Sequence, residues 1–220
     1  NDSGPIYKET VSGRFPVEPF NTFSNLIFLF IVVYFGLKVY KSPKTHPFLI
    51  WVLPVIGIAY VGGTIYHATR SAEIWLLLDW VPIMLLSLAG VVYFIGKWTE
   101  TWPQRILLAT IIIGCFFGLR LLPLNPSVKI SFGYLVTALA IAVPIIGYLY
   151  KTKWNNAKDV AIAFAIFGLA VFFRFVDKRM DIDFFYMGTH WLWHSFGGLA
   201  VFFLIRYIYK DNTHEAAGIS

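Results

Sequence analysis

The sequence predicts an all-α integral membrane protein, a bundle of seven transmembrane helices. Three observations predict it. Hydrophobic residues make up 58% of the chain and charged residues only 14%, against roughly a quarter charged in an ordinary soluble domain. Seven runs are each long and apolar enough to cross the hydrocarbon, which takes about 20 residues of helix. Phe, Tyr and Trp number 21, 12 and 8, an abundance suited to aromatic belts at the two membrane–water interfaces.

The first run spans 22–40, from Thr22 to Tyr40, and the second 48–68, with Pro54 and the Gly62-Gly63 pair inside it. The others are 75–96, 104–122, 130–150, 158–176 and 184–208. The connections are short and carry turn signals such as Lys41-Ser42-Pro43 and Asn125-Pro126-Ser127. Residues 1–21, polar and holding Pro5, Pro16 and Pro19, read as an external N-terminal segment and not as a signal peptide. Residues 22–209 form the seven-helix domain, and 210–220 read as a polar, disordered cytoplasmic tail. No internal repeat or second domain is visible.

The net charge of +6 does not point to nucleic acid, because the basic residues sit singly or in small groups between apolar runs. In a membrane protein such an excess belongs to cytoplasmic loops. One side of the membrane holds Lys38, Lys41, Lys44, Lys97, Arg105, Lys151, Lys153, Lys158, Arg206 and Lys210; the other holds Lys8, Arg14, Arg70, Lys129, Lys178 and Arg179. That bias places the C-terminus in the cytoplasm and the N-terminus outside. The lone Cys115 lies in an apolar run and excludes an internal disulfide.

Ionisable residues within spans are costly and are functional candidates by default. Four stand out: His67, Asp79, His190 and His194. With alternating spans, His67 falls near the outer end of the second, Asp79 about one turn into the third, and the histidine pair two or three turns into the seventh. All four converge on the outer leaflet, where chance would scatter them. His190 and His194 are four apart on one helix, so they face the same way and can grip one ion, with His67 as a third donor. Three neutral imidazoles and an open fourth position make a catalytic zinc arrangement. Zinc lowers the pKa of bound water towards ~7, and Asp79 is then suited to be the general base. A lone membrane histidine is often only a packing residue; three with an aspartate at matched depth argue for a site. Bis-histidine haem is disfavoured, since i and i+4 on one helix cannot flank one iron, and a retinal protein is disfavoured because the seventh run lacks a Schiff-base lysine.

Four motifs in order carry a family resemblance: Glu18-Pro19-Phe20-Asn21-Thr22-Phe23-Ser24-Asn25, His67, Leu77-Leu78-Asp79-Trp80-Val81-Pro82, and His190-x-x-Trp193-His194. The chain, from about residue 5 to 205, resembles the alkaline ceramidase family, within the CREST superfamily of seven-helix membrane hydrolases. The resemblance implies zinc on His67, His190 and His194, Asp79 acting on its water, and cleavage of the amide of ceramide-like membrane lipids. The family pattern has a serine four residues before the first histidine, where it helps to stabilise the oxyanion. Gly63 stands there instead, and Thr64, three residues before His67, is the substitute candidate. The resemblance also implies calcium bound through Glu18 and an acidic N-terminal segment, with Glu9 in Tyr7-Lys8-Glu9 as a second ligand. Other positions of that segment are Ile6 and Val11, which offer only backbone carbonyls.

Two other readings stay open: a lipid ester hydrolase, and a receptor or transporter whose metal is structural and closed by four protein ligands. Arg174, Asp177, Lys178, Arg179, Asp181 and Asp183 read as a solvated loop with local ion pairs, or as a lipid-headgroup contact.

Overall fold

A computed structural model describes residues 2–177 and 187–218, and among them it is helical with no strand. Seven segments are long and apolar enough to cross a membrane: Pro19–Val39, Pro47–Thr69, Glu73–Trp98, Trp102–Arg120, Val128–Lys151, Ala157–Val176 and His190–Ala216. The first comprises two helices, α1 (Pro19–Ser24) and α2 (Leu26–Val39), meeting at Asn25. The rest are α3 (Pro47–Thr69), α4 (Glu73–Trp98), α5 (Trp102–Arg120), α6 (Pro126–Lys151), α7 (Ala157–Val176) and α8 (His190–Ala216).

The starts follow local chemistry. Proline stands in the first turn of α1, α3 and α5, where its missing N–H has no partner to lose. Thr101 and Gln104 form a capping box on α5. The second and third spans, α3 and α4, approach at Gly62 and Gly63. A Cβ on Gly62 would meet the backbone and Cβ of Leu78, and one on Gly63 would meet the Asp79 carboxylate. Small residues at a membrane helix contact allow this approach, and here they bring Asp79 onto the face of α3.

The core lies between α2, α3, α4, α6 and α8, where Ile31, Phe35, Leu49, Leu53, Ile56 and Tyr207 are fully buried. Large apolar side chains are equally plentiful outside: Trp51 is 76% exposed and Leu121 83%. On α5, Ile106, Leu107 and Ile111 are exposed while Ile112 and Phe116 are buried. A surface so apolar suits lipid and not water.

Two expectations need correction at α8. The seventh run was read from 184; residues 184–186 lie outside the described residues, and Met187 to Thr189 are not helical. The helix begins at His190, after Thr189 is fixed by donating its N–H to Asp177 (3.0 Å) and its hydroxyl to Phe173 O (2.8 Å). His190 is therefore the first helical residue and His194 one turn in, shallower than the sequence suggested. At the other end, the helix runs to Ala216 in place of a disordered tail from Lys210. Its polar residues are held by partners across the bundle. Asp211 accepts from Tyr148 (3.0 Å) and Lys97 (3.2 Å), Lys97 also pairs with Glu215, and Lys210 pairs with Asp159 (2.8 Å).

The segment after α7 is corrected in the same way. Arg174 lies in the last turn of α7, only 5% exposed, and pairs with Asp177 at 3.6 Å. The ion pair is local, as expected, but it is buried. Lys178, Arg179, Asp181 and Asp183 lie outside the described residues.

Candidate metal centre

The site sits at the end of the bundle where α3 stops and α8 starts. α1 packs against both helices and closes them together. His67 is fully buried, and His190 and His194 are 4% and 6% exposed. One ligand atom from each lies within 4.8 Å of the others, and among the described residues no other group of His, Cys, Asp or Glu does so. The rings are close, with centroids 4.5 Å apart for His190 and His194 and 4.9 Å for His67 and His194. The sequence brought the same three residues together.

Which nitrogen is free follows from the partners of the other. His67 Nδ1 lies 2.5 Å from Glu18 Oε2. Its Nε2 is buried with no partner, an unpaired acceptor facing the cluster. His194 Nδ1 lies 3.3 Å from Asn21 O and 3.1 Å from Ser24 Oγ. A carbonyl only accepts, so Nδ1 carries the hydrogen and Nε2 the lone pair. This is how metal-ligating histidines are usually oriented, by a carboxylate or carbonyl behind the ring.

His190 is set differently. Arg174 Nη1 donates to its Nδ1 at 3.0 Å, and Tyr7 stacks on the ring at 3.9 Å between centroids. A guanidinium has no acceptor, so the neutral ring carries its hydrogen on Nε2. Binding a metal through Nε2 needs the hydrogen on Nδ1; binding through Nδ1 needs that lone pair. Either way, the Arg174–His190 bond and a metal on His190 exclude each other. The same Arg174 Nη1 also lies 3.6 Å from Asp177 Oδ2.

Asp79 has no hydrogen-bond or ion-pair partner among the described residues. It lines a cavity of about 470 Å³ together with His194, Asn25, Trp193, Tyr134 and Arg120. Thr64 is not on that wall; its hydroxyl is buried without a partner. The residue of α3 that faces Asp79 is Gly63, and next to the same point lies Asn25 Nδ2, 3.3 Å from where a Cβ on Gly63 would be. One Asn25 N–H is donated to Asn21 O at 3.1 Å; the other is left over. Asn25 lies inside the quoted first-span motif, but sequence reasoning assigned it no role.

The two carboxylates expected at calcium are engaged within the protein. Glu9 caps α1, accepting from the N–H of Phe20 (2.8 Å) and Asn21 (2.7 Å). Burial raises its carboxyl above the ordinary value despite those two bonds. Glu18 accepts from His67, from Thr10 (2.6 Å) and from Arg70 (2.7 Å). Burial alone would raise its carboxyl, but these bonds outweigh it and hold it below the ordinary value. Arg70 follows α3 in a left-handed conformation, with φ 46°. Its guanidinium lies in a cage of oxygens: Asp2 (2.5 Å), Glu18, Pro5 O (2.7 Å) and Gly4 O (3.1 Å). Carboxylates and carbonyls of this kind are what calcium takes, and here the cation among them is Arg70.

The sequence matches no known protein family and no curated protein.

Proposed function

We propose that this protein is a zinc-dependent membrane hydrolase that cleaves the N-acyl bond of ceramide-like lipids to a fatty acid and a sphingoid base. One observation carries the reading: three buried histidines share a centre, and beside them an unpaired carboxylate faces a cavity. The donor set suits the metal. Imidazole nitrogens are zinc ligands, whereas calcium and magnesium prefer oxygen. The group is three histidines without Asp79, which supports an open catalytic position over a closed structural one with four protein ligands.

A zinc ion on His67, His190 and His194 would supply a Lewis acid and make a nearby water acidic enough to lose its proton near neutral pH. The other parts belong to the chain. Glu18, Asn21 and Ser24 fix the rings of His67 and His194. Asp79 takes the water's proton and delivers it to the amide nitrogen, while the remaining hydroxide joins the acyl carbon and the C–N bond breaks. The spare Asn25 N–H is the donor for the developing oxyanion, the role for which the sequence offered Thr64. The apolar cavity walls receive the chains, and the exposed apolar surface of the bundle suits entry from the leaflet.

The reading includes orientation, with the N-terminus and site external and the C-terminus cytoplasmic. Accessibility labelling of tags at Asn1 and Ser220 tests it, and the reverse pattern moves the site to the cytoplasmic leaflet. For the chemistry, purified protein is expected to hold about one zinc, as three-histidine catalytic sites do, and to hydrolyse ceramide. His190→Ala is expected to lose most of both. Metal analysis that finds iron or no transition metal refutes the assignment.

A further inference from the structure

The cavity that holds Asp79 and His194 also holds Arg120 and Lys129. Arg120 is the last residue of α5 and Lys129 lies in the first turn of α6, so alternation of the spans puts both at the histidine end. Long basic side chains at helix ends commonly reach outward to the interface. Arg120 does otherwise. Its Nη2 crosses to α6, donating to Gly133 O (3.0 Å) and Thr137 Oγ1 (2.8 Å), and its buried Nε has no partner. The other guanidinium groups near the site are neutralised: Arg70 by Asp2 and Glu18, and Arg174 by Asp177. Arg120 and Lys129 have no carboxylate partner among the described residues. The wall of one cavity thus carries Asp79 and a histidine, two unneutralised cations, and apolar side chains that include Phe132, Ile130 and Met84.

We propose that this cavity selects an N-acyl lipid whose headgroup carries a phosphate, with Arg120 and Lys129 on the phosphate oxygens while the amide lies at Asp79. The proposal rests on the amidase reading. Its chemistry is that of guanidinium and ammonium on phosphate: Arg120 brings a fixed positive charge on a planar fork, and Lys129 adds a mobile point charge.

The test compares two probes, an N-acyl sphingoid base bearing a terminal phosphate and the same lipid with a free hydroxyl. Binding to the full-length protein in neutral detergent is measured by thermophoresis, and hydrolysis is followed in parallel. The phosphate lipid is expected to bind roughly ten- to a hundredfold more tightly, the scale of one or two hydrogen bonds to a charged group. Raising the salt should erode that ratio. Lys129→Gln, at an exposed position, is expected to cut the ratio roughly tenfold. Arg120→Lys, which keeps the charge but loses the planar fork, should also reduce it. Equal affinity for the two lipids, or a ratio unchanged in both variants, overturns the proposal. Inorganic phosphate alone is the third arm. If it raises the melting temperature, Lys129→Gln abolishes the rise, and the two lipids bind equally, the cations serve free phosphate and the headgroup assignment fails. A binding preference with neither lipid hydrolysed overturns the amidase reading instead, and hydrolysis of both without preference overturns only the headgroup.

Discussion

The two flanks of the histidine cluster are built from similar residues and treated in opposite ways. On the N-terminal flank, Glu18, Arg70, Asp2, Thr10 and Glu9 form a closed network in which each charge meets a hydrogen-bonded partner. On the cavity flank, Asp79, Arg120 and Lys129 have no charged partner among the described residues. Burying a charge is costly unless it is paired. The first flank meets that condition and, on the proposed function, is scaffold that fixes the rings; on the cavity flank Lys129 is exposed, and Asp79 and Arg120 are the groups proposed to face an entering lipid. Substitutions on the two flanks should accordingly fail in different currencies.

The largest effect is expected at Glu18. Glu18→Gln removes one partner from a buried set and leaves Arg70 and His67 short of a carboxylate, a loss of about 3–5 kcal/mol of stability. Metal affinity should fall roughly 10–100-fold, since the group orienting a ligand is weakened. Melting temperature and metal content on one preparation check both; an unchanged melting temperature would dissolve the distinction between the flanks. Asp79→Asn should do the reverse. Zinc content and melting temperature should hold, because Asp79 supports nothing, while ceramide turnover falls ~10²-fold or more. Zinc lost together with stability would make Asp79 a structural fourth ligand and favour a receptor or transporter.

Arg174 sharpens the boundary between the flanks, because its bond to His190 competes with metal. Arg174→Gln is expected to raise zinc affinity by roughly tenfold, about the worth of one charge-assisted hydrogen bond. Competition against a chelator measures it, and an unchanged or lower affinity shows that the guanidinium does not oppose loading. The smallest effect is expected from calcium. With Arg70 already among the oxygens of Asp2 and Glu18, the melting temperature in calcium should equal that in chelator. A rise that Glu18→Gln abolishes would put a bound cation in this flank by mass action on the folded state.

The seven spans and the three histidines were legible because both depend on depth, and hydropathy with alternation fixes depth along a membrane chain. The partners were not. Glu18 reaches His67 across 49 residues, and Asn21 reaches His194 across 173 through a backbone carbonyl, which has no side-chain signature. Thr64 has a suitable spacing from His67, but one residue turns a helix by about 100°, and it is Gly63 that faces Asp79. In the α8 tail polarity does not mean exposure. Asp211 and Asn212 are polar yet 6% and 5% exposed: across the bundle Tyr148 and Lys97 donate to Asp211, and Tyr93 donates to Asn212 Oδ1.

The glycine contact between α3 and α4 has a mechanical consequence. Asp79 is positioned by no bond of its own; what places it is how closely two helices lie where Gly63 leaves room. The rings of His67 and His194, by contrast, are tied at Nδ1. Sideways squeezing of the bundle by the bilayer therefore acts on the position of Asp79 and spares those two rings. On the proposed function, bilayers with different lateral pressure should change the rate of turnover while the amount of metal held stays the same.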